Sequence, residues 1–179
     1  MKISRISRSL ALVTPLASAM ITDAEAAAYL KIGDIKGEST DAGFESYIKI
    51  GSFKIEIDGV AAKGNPREIL FKSPQIRFPV EQASPELMLA CANGRTLPSA
   101  TLVLTKAPDD DGPEVVFTKI ILTDVLITSY STSAAPSGAP PMEEITLGYE
   151  TIEWTYSKIS KNGEITGTTT TGTITVPKE

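Results

Sequence analysis

Phe53, Ile55 and Ile57 alternate with Lys54, Glu56 and Asp58, which puts apolar groups on one side of a pleated strand and charges on the other. The pattern predicts a half-buried strand over residues 47–58. A shorter strand at 29–33 precedes it, antiparallel to it across the polar, turn-like segment 37–43. Gly64, Asn65 and Pro66 then interrupt the chain as a loop. Ile69, Phe71, Ile76 and Phe78 resume the apolar pattern with a change of parity near Ser73 and Pro74, so 67–79 reads as two short strands separated by a bulge or break. Ser84 is placed to cap a helix, Pro85 suits its first position and Glu86 favours the positive end of its dipole. The predicted helix covers 85–92 and closes at Asn93-Gly94.

Beyond the helix, 100–106, 114–129, 144–157 and 164–176 are rich in Val, Ile and Thr between Gly, Pro, Asn and Asp, a β pattern throughout. In 114–129 both parities are apolar: Val115, Phe117 and Ile121 on one, Val116, Ile120 and Leu122 on the other. Such a strand is central, and its outer face needs cover from the helix or another subunit. Ile145, Leu147 and Tyr149 share one parity and Ile152, Trp154 and Tyr156 the other, which predicts a bulge near Glu150-Thr151. Residues 131–141, from Ser131 through Pro136 to Pro141, are rich in Ser, Ala and Pro and read as a long exposed loop. Asp109-Asp110-Asp111-Gly112 lacks the spaced ligands of a calcium loop and reads as a solvated hairpin turn. Thr168 to Thr171 read as threonines of an edge strand, since the run has no wider period. The fold class is mainly β, a sandwich or barrel of antiparallel strands with one short helix.

The N-terminus carries a different pattern. Lys2, Arg5 and Arg8 precede an uncharged stretch over 10–22, and Ala24-Glu25-Ala26 offers small residues where a signal peptidase reads. Residues 1–26 are therefore expected to be a secretory signal peptide and 27–179 one β domain. Asp23 ends the uncharged stretch before the roughly 20 residues a membrane span needs, so no span is expected in the mature form. Cleavage after Ala26 would take the formal charge from −5 to about −6.

Composition narrows the chemistry further. With no histidine in 179 residues, Ser-His-Asp and Cys-His arrangements and His-ligated zinc are excluded. Cys91 is the only cysteine and lies in an apolar run, which suits a small buried thiol and allows no intramolecular disulfide. The negative charge and the lack of a basic run exclude nucleic acid as a partner. Asp34, Glu38, Asp124 and Glu153 form no paired motif that would define an acid and a base, so no catalytic residue, metal or cofactor is assigned.

Several segments carry a resemblance in collinear order. Tyr29-Leu30-Lys31-Ile32-Gly33-Asp34-Ile35-Lys36-Gly37-Glu38-Ser39 resembles the opening of the haemolysin-coregulated protein (Hcp) family, where a first strand runs into a Lys-Gly-Glu-Ser turn. Ser84-Pro85-Glu86-Leu87-Met88-Leu89-Ala90-Cys91-Ala92-Asn93-Gly94 is similar to its helix, and the strand holding Ala100 to Ala107 follows in the same order. Residues 121–132 and 144–156 are similar to its last long strands.

The resemblance implies an Hcp-like antiparallel β-barrel or sandwich with one flanking helix, and a tube protein of a type VI secretion system. It implies homohexameric rings that stack, with secretion spike, sheath or effector proteins as further partners. The alternative it leaves open is a secreted adaptor or carrier that binds another protein without a stacked tube. Assembly candidates are the loop holding Asp58, Gly59, Lys63, Gly64, Asn65 and Arg67, which in the family lies toward the neighbouring ring, and the loop holding Ser131, Pro136 and Pro141. Two features depart from the family: the leader-like N-terminus, since tube proteins are loaded from the cytoplasm by the secretion machine, and Gly51-Ser52-Phe53 with a modest 58–67 loop where a tryptophan pair and a long Gly-rich loop are usual. The first leaves the export route open and the second leaves ring stacking open.

Overall fold

The computed structural model describes residues 26–60, 68–107, 113–134 and 138–177. It holds eleven strands and one helix among these residues: β1 (Ala26–Ile32), β2 (Ile48–Lys49), β3 (Ser52–Lys54), β4 (Ile57–Val60), β5 (Glu68–Phe71), β6 (Gln75–Pro79), α1 (Ser84–Ala92), β7 (Thr96–Lys106), β8 (Val115–Ser133), β9 (Met142–Gly148), β10 (Thr151–Tyr156) and β11 (Thr170–Thr175). All the pairings are antiparallel, and β4 and β5 form a separate two-stranded arm.

The main sheet runs β2-β1-β7-β8-β9-β6-β3, with β10 and β11 branching from β8. Its two end strands, β2 and β3, are successive pieces of one extended stretch. Ile50 N–H donates to Ala28 O of β1 at 2.9 Å, and Gly51 N–H donates to Arg77 O of β6 at 2.8 Å. The stretch thus leaves one end of the curled sheet at Ile50 and joins the other at Gly51. The expected barrel is for this reason a curled sheet bridged by one changeover, not a closed ladder. The continuous strand expected over 47–58 becomes β2, β3 and the start of β4, because its residues serve three different partners.

A line of kinks across the sheet explains its curl. Asp124, in the middle of β8, has φ +50°, and the β7–β8 ladder skips the position where Pro98 would face it. Pro98 has no N–H to donate, so a break there costs no hydrogen bond. On the other side of β8, β10 ends its pairing at Thr151↔Thr123 and β9 begins at Gly148↔Leu126. Within β7, within β8 and between β10 and β9 the inward parity changes across this line. Leu102 and Ala100 give way to Leu97, Ile120 and Leu122 to Val125 and Ile127, and Ile152 to Leu147 and Ile145, all buried. The break expected near Glu150-Thr151 is one member of this line. Each kink re-aims its strand so that both halves face one core.

That core joins Leu30, Ile32, Ile76, Phe78, Leu87, Leu102, Ile120, Leu122, Ile127 and Leu147, all essentially inaccessible. Each such side chain contributes about 1.5–3 kcal/mol of burial. The helix adds Leu87 and Ala90 to this core and packs against β8. Its start differs from expectation. Ala83 is the cap residue without a side-chain hydrogen bond, and Ser84 is the first helical residue, its Oγ accepting from Glu81 N–H at 2.9 Å. The end is as expected: Gly94 has φ +60°, and Arg95 N–H donates to Ala90 O at 3.0 Å, a Schellman closure.

A second, smaller cluster lies on the outer face of β1 and β7. Tyr29 stacks on Phe44 at 4.4 Å between ring centroids, and Tyr47 meets Phe44 edge-on at 5.7 Å. The Ser39–Tyr47 segment therefore covers that face from within the chain.

Candidate assembly surfaces

The Lys36-Gly37-Glu38-Ser39 turn is a hub. Gly37 N–H donates to Ser46 O at 2.9 Å and Ser39 N–H to Tyr47 O at 3.0 Å, fastening the turn to the covering segment. Glu38 N–H donates to Glu81 Oε2 at 2.8 Å, Ala83 N–H donates to Glu81 Oε1 at 2.9 Å, and Gln82 Nε2 donates to Gly37 O. One carboxylate thus clasps the turn to the approach of α1. Burial pushes the Glu81 carboxyl up, opposed by its two backbone hydrogen bonds and helped by the nearby Glu38 and Glu143 charges. Tyr29 sits beneath the covering segment, its hydroxyl donating to Asp41 Oδ2 at 2.6 Å, while Thr105 Oγ1 donates to Glu114 Oε2 at 2.6 Å. Burial first, then the Asp41 hydrogen bond and the Glu114 charge, holds the Tyr29 phenol well above its usual range.

The carboxylates weighed as catalytic groups stand on separate elements with separate partners. Asp34 pairs with Arg95 at 3.0 Å, Glu38 belongs to the turn, Asp124 to the kink of β8 and Glu153 to β10 opposite Thr173. Among the described residues no group of three or more acidic, Cys or His side chains could hold a metal ion, and no helix is long and apolar enough to cross a membrane.

Of the assembly candidates, Asp58 and Gly59 lie on β4, paired with Leu70 and Ile69 of β5. Lys63, Gly64, Asn65, Arg67 and Pro136 lie outside the described residues, as does the Asp109–Gly112 turn. Asp58 is bridged to Lys72 at 2.7 Å, and Lys72 also meets Glu56 at 2.5 Å. Lys54 and Lys72 together draw the Glu56 carboxyl down to about 2. Ser131, expected in a loop, is a strand residue of β8 opposite Glu144, because β8 runs on to Ser133. Pro141 directly precedes β9, and its carbonyl accepts from Val80 N–H at 3.0 Å.

The sequence reading did not find the apolar side chains that one copy leaves uncovered. On the arm these are Ile57, Ile69 and Leu70; on the outer side of α1, Met88 and Leu89; on the branch, Trp154 (42% exposed), Tyr156 (49%) and Ile174 (41%). Trp154 and Tyr156 face the same way as Ile120 and Thr118, their buried partners on β8. The branch therefore carries the inward face of the sheet out past the point where the core ends. Arm and branch are poor burials for a single copy: a two-stranded hairpin is marginal in water on its own, and large exposed apolar groups that gather on one face mark interaction surfaces.

The sequence model of the family described as "Type VI secretion system effector, Hcp" matches residues 29–156. The chain is 28% identical over 145 residues to Protein hcp1 of Pseudomonas aeruginosa, covering 75% of this chain and 85% of that one. It is similar to the crystal structure of Hcp1 from Salmonella typhimurium, with a TM-score of 0.69 and 25% identity over 84% of this chain and 94% of that one. A type VI secretion system effector from Yersinia pestis has the same fold, with a TM-score of 0.66 and 24% identity over 83% of this chain and 99% of that one.

Proposed function

Because the chain belongs to the Hcp family, the tube and secreted proteins of type VI secretion systems, we propose that it is a structural tube component whose copies close into hexameric rings. The observation that carries this reading is the family match over the whole strand-and-helix core, joined to apolar surfaces that a single copy leaves in water. A closed ring needs two different patches that meet head to tail. The outer side of α1 and the inward face of the branch are separate apolar patches of the kind such a contact requires. The arm is left for contact between rings, where Ile57, Ile69 and Leu70 would be covered. Geometry, not turnover, is then the task, and the chain acts as no enzyme. Spike, sheath and effector proteins are its further partners.

The uncharged 10–22 stretch behind Lys2, Arg5 and Arg8 supports a second reading, a protein secreted through a cleaved leader and acting as an adaptor without a stacked tube. Mass measurement under native conditions, with N-terminal sequencing of the exported form, separates the two. A six-copy particle with residues 1–26 still attached supports loading from the cytoplasm. A single copy at millimolar concentration ends the ring reading. Deleting residues 59–65 should leave the folded domain intact and reduce self-association; unchanged sedimentation would remove the arm from the assembly.

A further inference from the structure

β11 carries an edge that nothing in the described chain uses. It pairs only with β10, and all six of its residues are exposed. The hydrogen-bonding phase of the β10–β11 ladder follows from Val176 N–H donating to Glu150 O at 2.8 Å. In an antiparallel ladder the bonded pairs alternate, so Ile174, Gly172 and Thr170 bond to β10. Thr171, Thr173 and Thr175 turn their N–H and C=O groups to the free side. A free edge is normally guarded by charge, proline or a bulge. Here residues 165–176 contain no charged side chain, and the first proline is Pro177, beyond the strand.

We infer that the free edge of β11 is an interface that pairs antiparallel with β11 of a second copy, about a twofold axis at Thr173. Other strands that pair on one side only offer a poorer match. β2, β3 and β4 are two to four residues long and carry Lys49, Lys54 and Asp58, and β5 is the four-residue partner of β4. Centred on Thr173, the register sets Thr171 against Thr175 of the second copy, with both main-chain hydrogen bonds exchanged at each pair. The hydroxyl rows that already link Thr155 to Thr171 at 3.0 Å and Thr123 to Thr151 at 2.5 Å then continue across the axis. On the other face Ile174 comes to lie against Gly172 of the second copy. A Cβ on Gly172 would meet nothing within 4 Å, so there is room for that side chain. This contact is twofold and distinct from a head-to-tail ring contact. It joins two single copies, or two whole rings back to back.

Sedimentation of the full chain over a range of concentration tests it. The wild type should show its smallest unit doubling in mass. Thr173→Pro removes the N–H at the axis without touching a bond to β10, and Thr173→Lys sets two ammonium groups opposite each other; each should weaken doubling at least tenfold, the lysine variant recovering in high salt. The single tryptophan, Trp154, faces Gly172 across the β10–β11 ladder, so unchanged tryptophan emission verifies that β11 is still in place. If the proline variant loses that emission, the lysine variant carries the test. Under mild oxidation Thr173→Cys in a Cys91→Ser background should form a disulfide-linked pair. A wild-type unit that never doubles, proline and lysine variants that double like the wild type, or a Thr173→Cys chain that stays unlinked would each overturn the inference.

Discussion

Replacing Gly37 by alanine should be among the most damaging single-methyl changes in the domain. A Cβ built at Gly37 falls 2.3 Å from both the carbonyl carbon and oxygen of Tyr47 and 2.4 Å from Ile48 N. These are backbone atoms at the start of β2, so no rotamer change relieves the clash. Turn and strand must part by about 1 Å to reach ordinary contact, which costs about 1–3 kcal/mol as overpacking. The separation also lengthens the bonds from Gly37 N–H to Ser46 O and from Ser39 N–H to Tyr47 O, at about 1 kcal/mol each. The expected loss is about 3–5 kcal/mol out of a total near 5–15 kcal/mol. With a urea slope of about 2 kcal/mol/M, the midpoint should fall by about 1.5–2.5 M, measured at one fixed low protein concentration so that assembly does not contribute. Gly43→Ala is the control. Gly43 has φ +84° but open space around its Cβ position, so alanine there meets only backbone strain of about 1–2 kcal/mol. A Gly37→Ala midpoint within about 0.3 M of wild type, or no worse than Gly43→Ala, would refute the steric argument.

Tyr29 has its phenol raised in the fold above the ordinary value of 10.0, so the folded chain holds a proton that the unfolded chain releases, and stability contributed by this group is present below pH 10 and lost as pH rises above it. Tyr29→Phe should therefore lower stability by about 1 kcal/mol at pH 7 through the lost Asp41 hydrogen bond and flatten the decline of the unfolding midpoint between about pH 10 and 11; an unchanged alkaline slope would count against it. Asp124 holds φ +50° at the kink of β8, so Asp124→Gly should be neutral or stabilising by up to about 1 kcal/mol, whereas Asp124→Val should cost about 1–2 kcal/mol in thermal unfolding; equal effects would mean the kink stores no backbone strain.

Much of this fold is legible in the order of apolar residues, because a strand that feeds a core writes its inward face at every second position. The break between β9 and β10 follows from that rule, the central place of β8 from apolar groups on both parities, and the helix from Pro85 and Glu86 at its start and Asn93-Gly94 at its end. It fails where one stretch serves several neighbours. Residues 47–58 alternate as one strand would, yet the chain changes partner at Gly51, and only the loss of a side chain there hints at it. It fails again at Ser131, where a polar composition reads as loop although the residue is held in a ladder by main-chain bonds that side chains do not report. The Lys-Gly-Glu-Ser turn lies between these cases. Its glycine is recognisable by resemblance, but the reason for it, the carbonyl of Tyr47 pressed against its Cα, appears only once the chain has folded back.

The exposed apolar faces were illegible for a related reason. Trp154, Tyr156 and Ile174 have the parity of core residues, and the pattern alone would bury them. In a single copy they continue the inward face of the sheet beyond its core and stay 41–49% exposed. Periodicity reports which face a sequence means to cover, and says nothing of which chain covers it. Where a strand has the pattern of burial and a single copy leaves it in water, the missing cover must come from elsewhere. The same reasoning separates the branch from the edge beside it: the inward face asks for apolar side chains from a neighbour, while Thr171, Thr173 and Thr175 ask only for backbone. Two chemically different demands on adjacent atoms suit two contacts of different symmetry.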